Sequence, residues 1–221
     1  KSSEFSDELR GTHPVTFDVI NVDLSKPGEV DWLVTSVMDE ADRIDVLVNA
    51  ACDWPTELDF TTTSWADIRG TLEANLVSPL YLTRLVFEHM RDLGRGGSIV
   101  FLGSMYGKVA PDHRIYRDSA RGSAAGYGAA KAGLMQATRY VSAVGGKHGI
   151  RANSISPGPF PRPGTFEGGN EWFRDELSNR TMLGRVGYPH EIKGVCAFLC
   201  SDMSSYVTGT DIALDGGWAA W

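Results

Sequence analysis

Residues Gly126–Gly158 read GYGAAKAGLMQATRYVSAVGGKHGIRANSISPG, and this stretch decides the fold. Its first part, Tyr127–His148, reads as a long helix, and Ile150–Ile155 as a strand closed by Pro157-Gly158. Upstream, Ser98–Leu102 is a short apolar run that fits a buried parallel strand. Strand, helix and strand in that order make a βαβ unit. Within the helix, Tyr127 and Lys131 stand four residues apart and share one face. An ammonium beside a phenol favours the phenolate and lowers its pKa from about 10. Tyr127 is therefore a candidate proton donor or acceptor near neutral pH. Alone, Tyr-x-x-x-Lys is a spacing that many helices carry for structural reasons.

Moving outward, the alternation continues. Ser3–Arg10 resembles the tail of a helix, and the β-branched run Val15–Val22 reads as a strand. Pro27–Asp42 carries Val30, Leu33, Val34, Val37 and Ala41 at helical spacing. Ile44–Val48 fits a buried strand. Ser64-Trp-Ala-Asp67 resembles a capping box with Asp where Glu or Gln is usual. The long helical region after it bends near Asn75 and Pro79 and ends at Gly94. Gly103–Gly126 is loop-like, and Pro159–Gly169 reads as an ordered loop or a lid. Asn170–Ser178 is a short helix, Pro189–Cys200 a helix opened by proline, and Ile212–Leu214 a last strand.

This pattern predicts a single α/β domain over residues 1–221, a Rossmann-like doubly wound parallel sheet with helices on both faces in three layers. In such sheets the ligand lies beyond the carboxyl ends of the strands. Asp23, Asn49, Ser104 and Pro157-Gly158 stand at those ends, so four segments aim at one edge.

Composition narrows the class. The chain has 221 residues and a formal net charge of −7, with a pI near 5.2. An acidic balance argues against nucleic acid and anionic membrane as partners. No apolar run reaches the roughly 18 residues of a membrane span. The polar start does not read as a signal peptide. Cys52, Cys196 and Cys200 form no Cys-x-x-Cys, which points away from a disulfide framework and towards a reducing, cytoplasmic setting. The five histidines show no zinc spacing, and no metal site is expected.

The motifs, taken in order, resemble the short-chain dehydrogenase/reductase family. They are Val22-Asp23-Leu24, Leu47-Val-Asn-Ala-Ala51, Asn75, Gly97–Ser104, Tyr127-x-x-x-Lys131, Asn153–Gly158, Leu183–Gly187 and Tyr206–Gly217. The resemblance implies an NAD- or NADP-dependent oxidoreductase that interconverts an alcohol and a carbonyl. By it Tyr127 is the acid/base and Lys131 holds the nicotinamide ribose. Ser104 bonds the substrate oxygen, and Asn75 interrupts its helix to anchor a proton-relay water. Asp23 and Leu24 meet the adenine, Asn49, Ala50 and Ala51 the adenine ribose, and Pro157 and Gly158 the nicotinamide. The helices Leu76–Arg91 and Tyr127–His148 carry much apolar surface, and by the resemblance such helices form dimer interfaces, which implies a homo-oligomer, a dimer or a symmetric homotetramer.

Several departures stand out. The family opens with a strand, a glycine-rich turn for the pyrophosphate, a helix and a second strand, yet no Gly-x-x-x-Gly-x-Gly precedes Val15. An N-terminal part of the native chain is therefore expected beyond this sequence. Without it, Val15–Val22 must pair directly with Ile44–Val48, with dinucleotide binding impaired. The usual Asn-Asn-Ala-Gly reads Asn49-Ala50-Ala51-Cys52, and Arg162 replaces a threonine that often meets the carboxamide. The Ser104–Tyr127 spacing exceeds the family's usual pattern by about ten residues, placing an insertion in Lys108–Gly126 that borders the pocket. Its Arg114, Tyr116 and Arg117 are either substrate contacts for a polar or anionic molecule or a solvated loop face. Relatives with Ser-Met-Tyr-Gly at this point are tied to sugars and sugar acids. The alternative to an enzyme is a non-catalytic binding or scaffold protein that kept the fold.

Overall fold

The computed structural model describes residues 17–55, 57–117 and 122–221. Helix α1 spans Pro27–Glu40, with proline in its first turn where no intrahelical donor is needed. Strand β1, Val46–Asn49, comes next. Helix α2, Trp65–Leu72, starts at the expected capping box: Ser64 N donates to Asp67 Oδ2 at 2.9 Å, and Asp67 N donates to Ser64 Oγ at 3.2 Å. The shorter Asp thus serves in place of Glu. Beyond it, Glu73–Val77 winds as a π-helical turn, the bend predicted near Asn75. Helix α3, Ser78–Leu93, continues from it.

Strand β2 is Gly97–Leu102, helix α4 Ala125–Gly145 and strand β3 Ile150–Pro157. Helix α5 is Glu171–Asn179, helix α6 Pro189–Cys200 and strand β4 Asp211–Leu214. The loop expected over Gly103–Gly126 contains two short 3₁₀ turns, Met105–Gly107 and His113–Tyr116.

The four strands form one parallel sheet in the order β1-β2-β3-β4. Its two faces are covered separately, as side-chain alternation requires. Ile99, Phe101 and Ala152 pack with Val86 and Met90 of α3 and Leu134 and Val141 of α4. Val100 and Ile155 pack with Leu199 of α6. Helices therefore lie on both faces, as predicted.

One element is corrected. Residues 17–22 form no strand, and Val15 and Thr16 lie outside the described residues, as does the expected helix Ser3–Arg10. β-Branched composition favours a strand, but strand backbone also needs a neighbour to answer its N–H and C=O groups. Among the described residues β1 is bonded to β2 alone, so Ile44–Val48 does not pair with 17–22 either. Val46 and Val48 on that edge stay partly exposed.

Candidate active site

Ser104 stands just past the carboxyl end of β2 in extended backbone. Its Oγ accepts a hydrogen bond from Tyr106 N at 3.2 Å. The 3₁₀ turn it opens is closed by Gly107 N to Ser104 O and Lys108 N to Met105 O, both 2.9 Å. This turn lies directly on the start of α4. A Cβ on Gly128 would come within 2.9 Å of Tyr106 O, and one on Gly107 within 2.9 Å of Ala132 N. Only glycine lets the two backbones approach so closely. The contact brings Ser104 beside Tyr127, close enough for its side chain to pull the phenol's pKa downward.

Lys131 lies one helical turn along α4, with Nζ 5.5 Å from the centre of the Tyr127 ring. It donates to Leu102 O at 2.8 Å, which fixes the ammonium at the end of β2. Asn75 sits in the π turn, fully buried. Its Nδ2 donates to Thr71 O at 3.0 Å and to Asp53 O at 2.8 Å, tying the helix to the segment after β1. Its Oδ1 is buried without a hydrogen-bond partner among the described residues. The segment after β1 then crosses the site: the Trp54 ring tilts over Tyr127 with centroids 4.7 Å apart. Residues 75, 104, 127 and 131 are between 0% and 7% exposed. The sequence reading expected these four at one place, and the fold brings three elements together there.

The electrostatics reverse one expectation. Tyr127 is held above the ordinary phenol range, first by burial and then by the Cys52 thiol; Ser104 and the Arg162 charge pull it down by less. Lys131 is not among the groups that chiefly set it. Burial depresses the lysine itself, with Cys52 opposing that shift. Desolvation of both partners outweighs the attraction that the four-residue spacing promised. At neutral pH the phenol is protonated, a proton donor in waiting.

The residues proposed for the cofactor are arranged less uniformly. Asp23 and Leu24 precede α1, and the Asp23 contacts are local. Its Oδ1 accepts from Ser25 N at 3.0 Å and Ser25 Oγ at 2.6 Å, and Lys26 Nζ lies 3.4 Å from Oδ2. These partners hold the Asp23 carboxyl below its usual range, Ser25 foremost. Asn49 turns inward, with Nδ2 donating to Thr83 Oγ1 on α3 at 3.0 Å. Ala50 and Ala51 are exposed beyond β1. Pro157-Gly158 ends β3, and Gly158 N donates to Leu214 O at 2.9 Å.

Two of the insertion residues, Tyr116 and Arg117, turn towards neighbouring protein. Arg114 grips Asp112 through Nε and Nη2, both 2.8 Å, and Asp112 also pairs with Arg180. Arg117 bonds Glu176 of α5 at 3.1 Å and stacks 4.1 Å over Trp172. Tyr116 is buried, its hydroxyl 2.5 Å from that of Tyr106 and its ring 5.6 Å from Phe173. Arg117 thus joins the insertion to α5, while Arg114 pairs within its own turn and keeps a solvated loop face. Sequence reasoning missed Trp54 and Tyr106 as walls of the site. A tryptophan among polar residues just past a strand end was the available signal for the first.

The chain is similar to several known proteins. A family model described as Enoyl-(Acyl carrier protein) reductase matches residues 2–219. The 7alpha-hydroxysteroid dehydrogenase of Bacteroides fragilis is 30% identical, covering 98% of this chain and 80% of that protein. The 2-dehydro-3-deoxy-D-gluconate 5-dehydrogenase of Escherichia coli is 31% identical, covering 91% of this chain and 76% of that protein. Among solved structures, a short chain dehydrogenase from Leptospira borgpetersenii with bound NAD+ superposes with a TM-score of 0.81 at 28% identity, over 93% of this chain and 79% of that one. A gluconate 5-dehydrogenase from Burkholderia cenocepacia, in complex with NADP and tartrate, gives a TM-score of 0.78 at 26% identity, over 90% of this chain and 74% of that one. With its parallel sheet and its buried Ser104, Tyr127 and Lys131 meeting at the strand ends, the chain belongs to the short-chain dehydrogenase/reductase family of oxidoreductases.

Proposed function

We propose that the protein is an NAD- or NADP-dependent oxidoreductase that interconverts an alcohol and a carbonyl on a small polar, sugar-like molecule. The observation that carries this is the convergence of Ser104, Tyr127 and Lys131, with Asn75 behind them. The residues present fit a nicotinamide dinucleotide. Lys131 has three donors and spends one on Leu102 O, which leaves two for a ribose diol. The orphaned Oδ1 of Asn75 suits a relay water, because a buried acceptor without a partner is costly. Asp23 and Leu24 would hold the adenine. Since the Asn49 amide is taken by Thr83, the adenine ribose falls to the backbone at Ala50 and Ala51. Pro157 and Gly158 would border the nicotinamide.

When bound, the nicotinamide supplies or accepts the hydride. The chain's own residues handle the proton. In the reductive direction Tyr127, held protonated by burial, gives its proton to the substrate oxygen while the Ser104 hydroxyl steadies the same atom. Trp54 keeps water from the phenol. The sugar-like substrate is supported by the sugar-acid relatives and by Ser104-Met-Tyr-Gly107. Exposed Val77, Tyr140 and Val144 on the outer helices support a homotetramer.

The test is Tyr127→Phe, assayed with sugar acids, free sugars and a hydroxysteroid. Turnover should fall by about a thousandfold while nicotinamide affinity, followed by fluorescence titration, and melting temperature stay near wild type. Wild-type turnover in the variant refutes the assignment of Tyr127. Turnover of the steroid alone refutes the sugar-like substrate. Failure of the unaltered protein to bind nicotinamide saturably favours a non-catalytic scaffold.

A further inference from the structure

Lys108 closes the 3₁₀ turn that begins at Ser104. Its Nζ lies 2.6 Å from Oδ2 of Asp211, the first residue of β4. The Asp211 side chain is 8% exposed, so this carboxylate is inside the protein. Its other oxygen accepts from Ser154 Oγ at 2.6 Å and Ser156 Oγ at 2.7 Å, two fully buried hydroxyls on β3. Ser154 is the register partner of Asp211, and Ser156 is the next residue on that face. Among the described residues, Oδ2 has no hydrogen bond along a good line, and the Lys108 charge is what answers it.

The same sheet face holds the front of the turn. Gly103 N donates to Ile155 O at 2.7 Å, and a Cβ on Gly103 would come within 2.8 Å of Ser156 Oγ. The Ser104 turn is thus fastened to β3 at its start and to β4 at its end. Between those two points lies Tyr106 N, which donates to the Ser104 hydroxyl, the group that neighbours Tyr127.

We propose that the Lys108–Asp211 pair is a positioning device that sets the Ser104 hydroxyl against Tyr127. Neither residue touches the reacting atoms; both act through the turn. The idea rests on the proposed roles of Ser104 and Tyr127. It predicts that loss of the pair slows the chemical step and spares cofactor binding.

The experiment compares Lys108→Met, Lys108→Arg, Asp211→Asn and Ser104→Ala in the full chain. It reads kcat, nicotinamide affinity by fluorescence, melting temperature, and the primary deuterium isotope effect with deuterated reduced cofactor. Lys108→Met and Asp211→Asn should lose about tenfold to a hundredfold in kcat, the scale of a misplaced catalytic group. Their isotope effect should rise and their nicotinamide affinity should hold. Lys108→Arg should recover most of the loss. Near-normal kcat in Lys108→Met beside an inactive Ser104→Ala overturns the pair's role and leaves Ser104 standing. A loss in Lys108→Met that vanishes on cooling well below its melting temperature makes the pair structural only and also overturns the proposal. Near-normal kcat in Ser104→Ala removes the function of Ser104 itself, and the positioning role with it. Should Asp211→Asn fail to fold, the two lysine variants decide.

Discussion

The reacting end and the adenine end of the proposed dinucleotide site are built differently. At the reacting end, Asn75, Ser104, Tyr127 and Lys131 are buried, and their orientation depends on backbones that touch through Gly107 and Gly128. At the adenine end, Asp23, Ala50 and Ala51 are exposed, and the Asp23 contacts reach no further than Ser25, Lys26 and Glu29. Chemistry that needs a proton held at a set place is rooted in the core, where desolvation and close packing set pKa and geometry together. Recognition of the cofactor's far end rests on surface features that cost the fold little to change.

That contrast gives graded expectations. The largest effect should come from Gly128→Ala. Its new methyl meets Tyr106 O at 2.9 Å, so α4 and the Ser104 turn must separate. The cost should be about 1–3 kcal/mol of stability by denaturant titration, with a loss of about a hundredfold in kcat. A stable, fully active Gly128→Ala would break the idea that this contact sets the site. Trp54→Ala comes next. The rate of carbonyl reduction depends on a protonated phenol, so it falls as pH rises through the Tyr127 pKa. Burial holds that pKa up. Letting water in lowers it, so the alkaline limb of kcat should move down by about one pH unit. No movement, or an upward one, would show that Trp54 does not shield the phenol. The smallest effect belongs to the adenine end. Asp23→Ala should weaken nicotinamide dinucleotide binding by about fivefold and leave kcat at saturation unchanged. A fall in kcat there would erase the distinction between the two ends.

Much of the reacting end was legible in the sequence because its signals are local. The Tyr127–Lys131 spacing, the capping box at Ser64 and the proline that opens α6 each specify their element within a few residues. The bend at Asn75 was also readable, from a polar residue shortly before Pro79 in an apolar helix. Features that depend on a distant partner were not legible. Val15–Val22 has strand composition, but composition does not report whether another strand lies alongside. Tyr127 was expected to be acidic because Lys131 is close in sequence. Burial, which governs it first, is a property of the packed whole, and the Cys52 thiol that adds to it arrives from another part of the chain, as does the Trp54 ring over the phenol. Arg117 looked like a free cation for the same reason, because Glu176 becomes its partner only when the loop closes on α5; Arg114 pairs with Asp112, two residues away.

The widened turn at Glu73–Val77 sets limits on how this chain can change length. A turn of five residues in place of four adds one position and rotates the downstream helix by about 100° relative to an unbroken one. Thr83 reaches Asn49, and Val86 and Met90 reach the sheet, only with that offset in place. Removing a single residue here would turn the apolar side of α3 towards water. The same shortening within the exposed part of Pro159–Gly169 disturbs no such phase. In this helix the register of the core and the seating of the Asn75 amide against Asp53 are a single setting, so neither can be edited by insertion or deletion without the other.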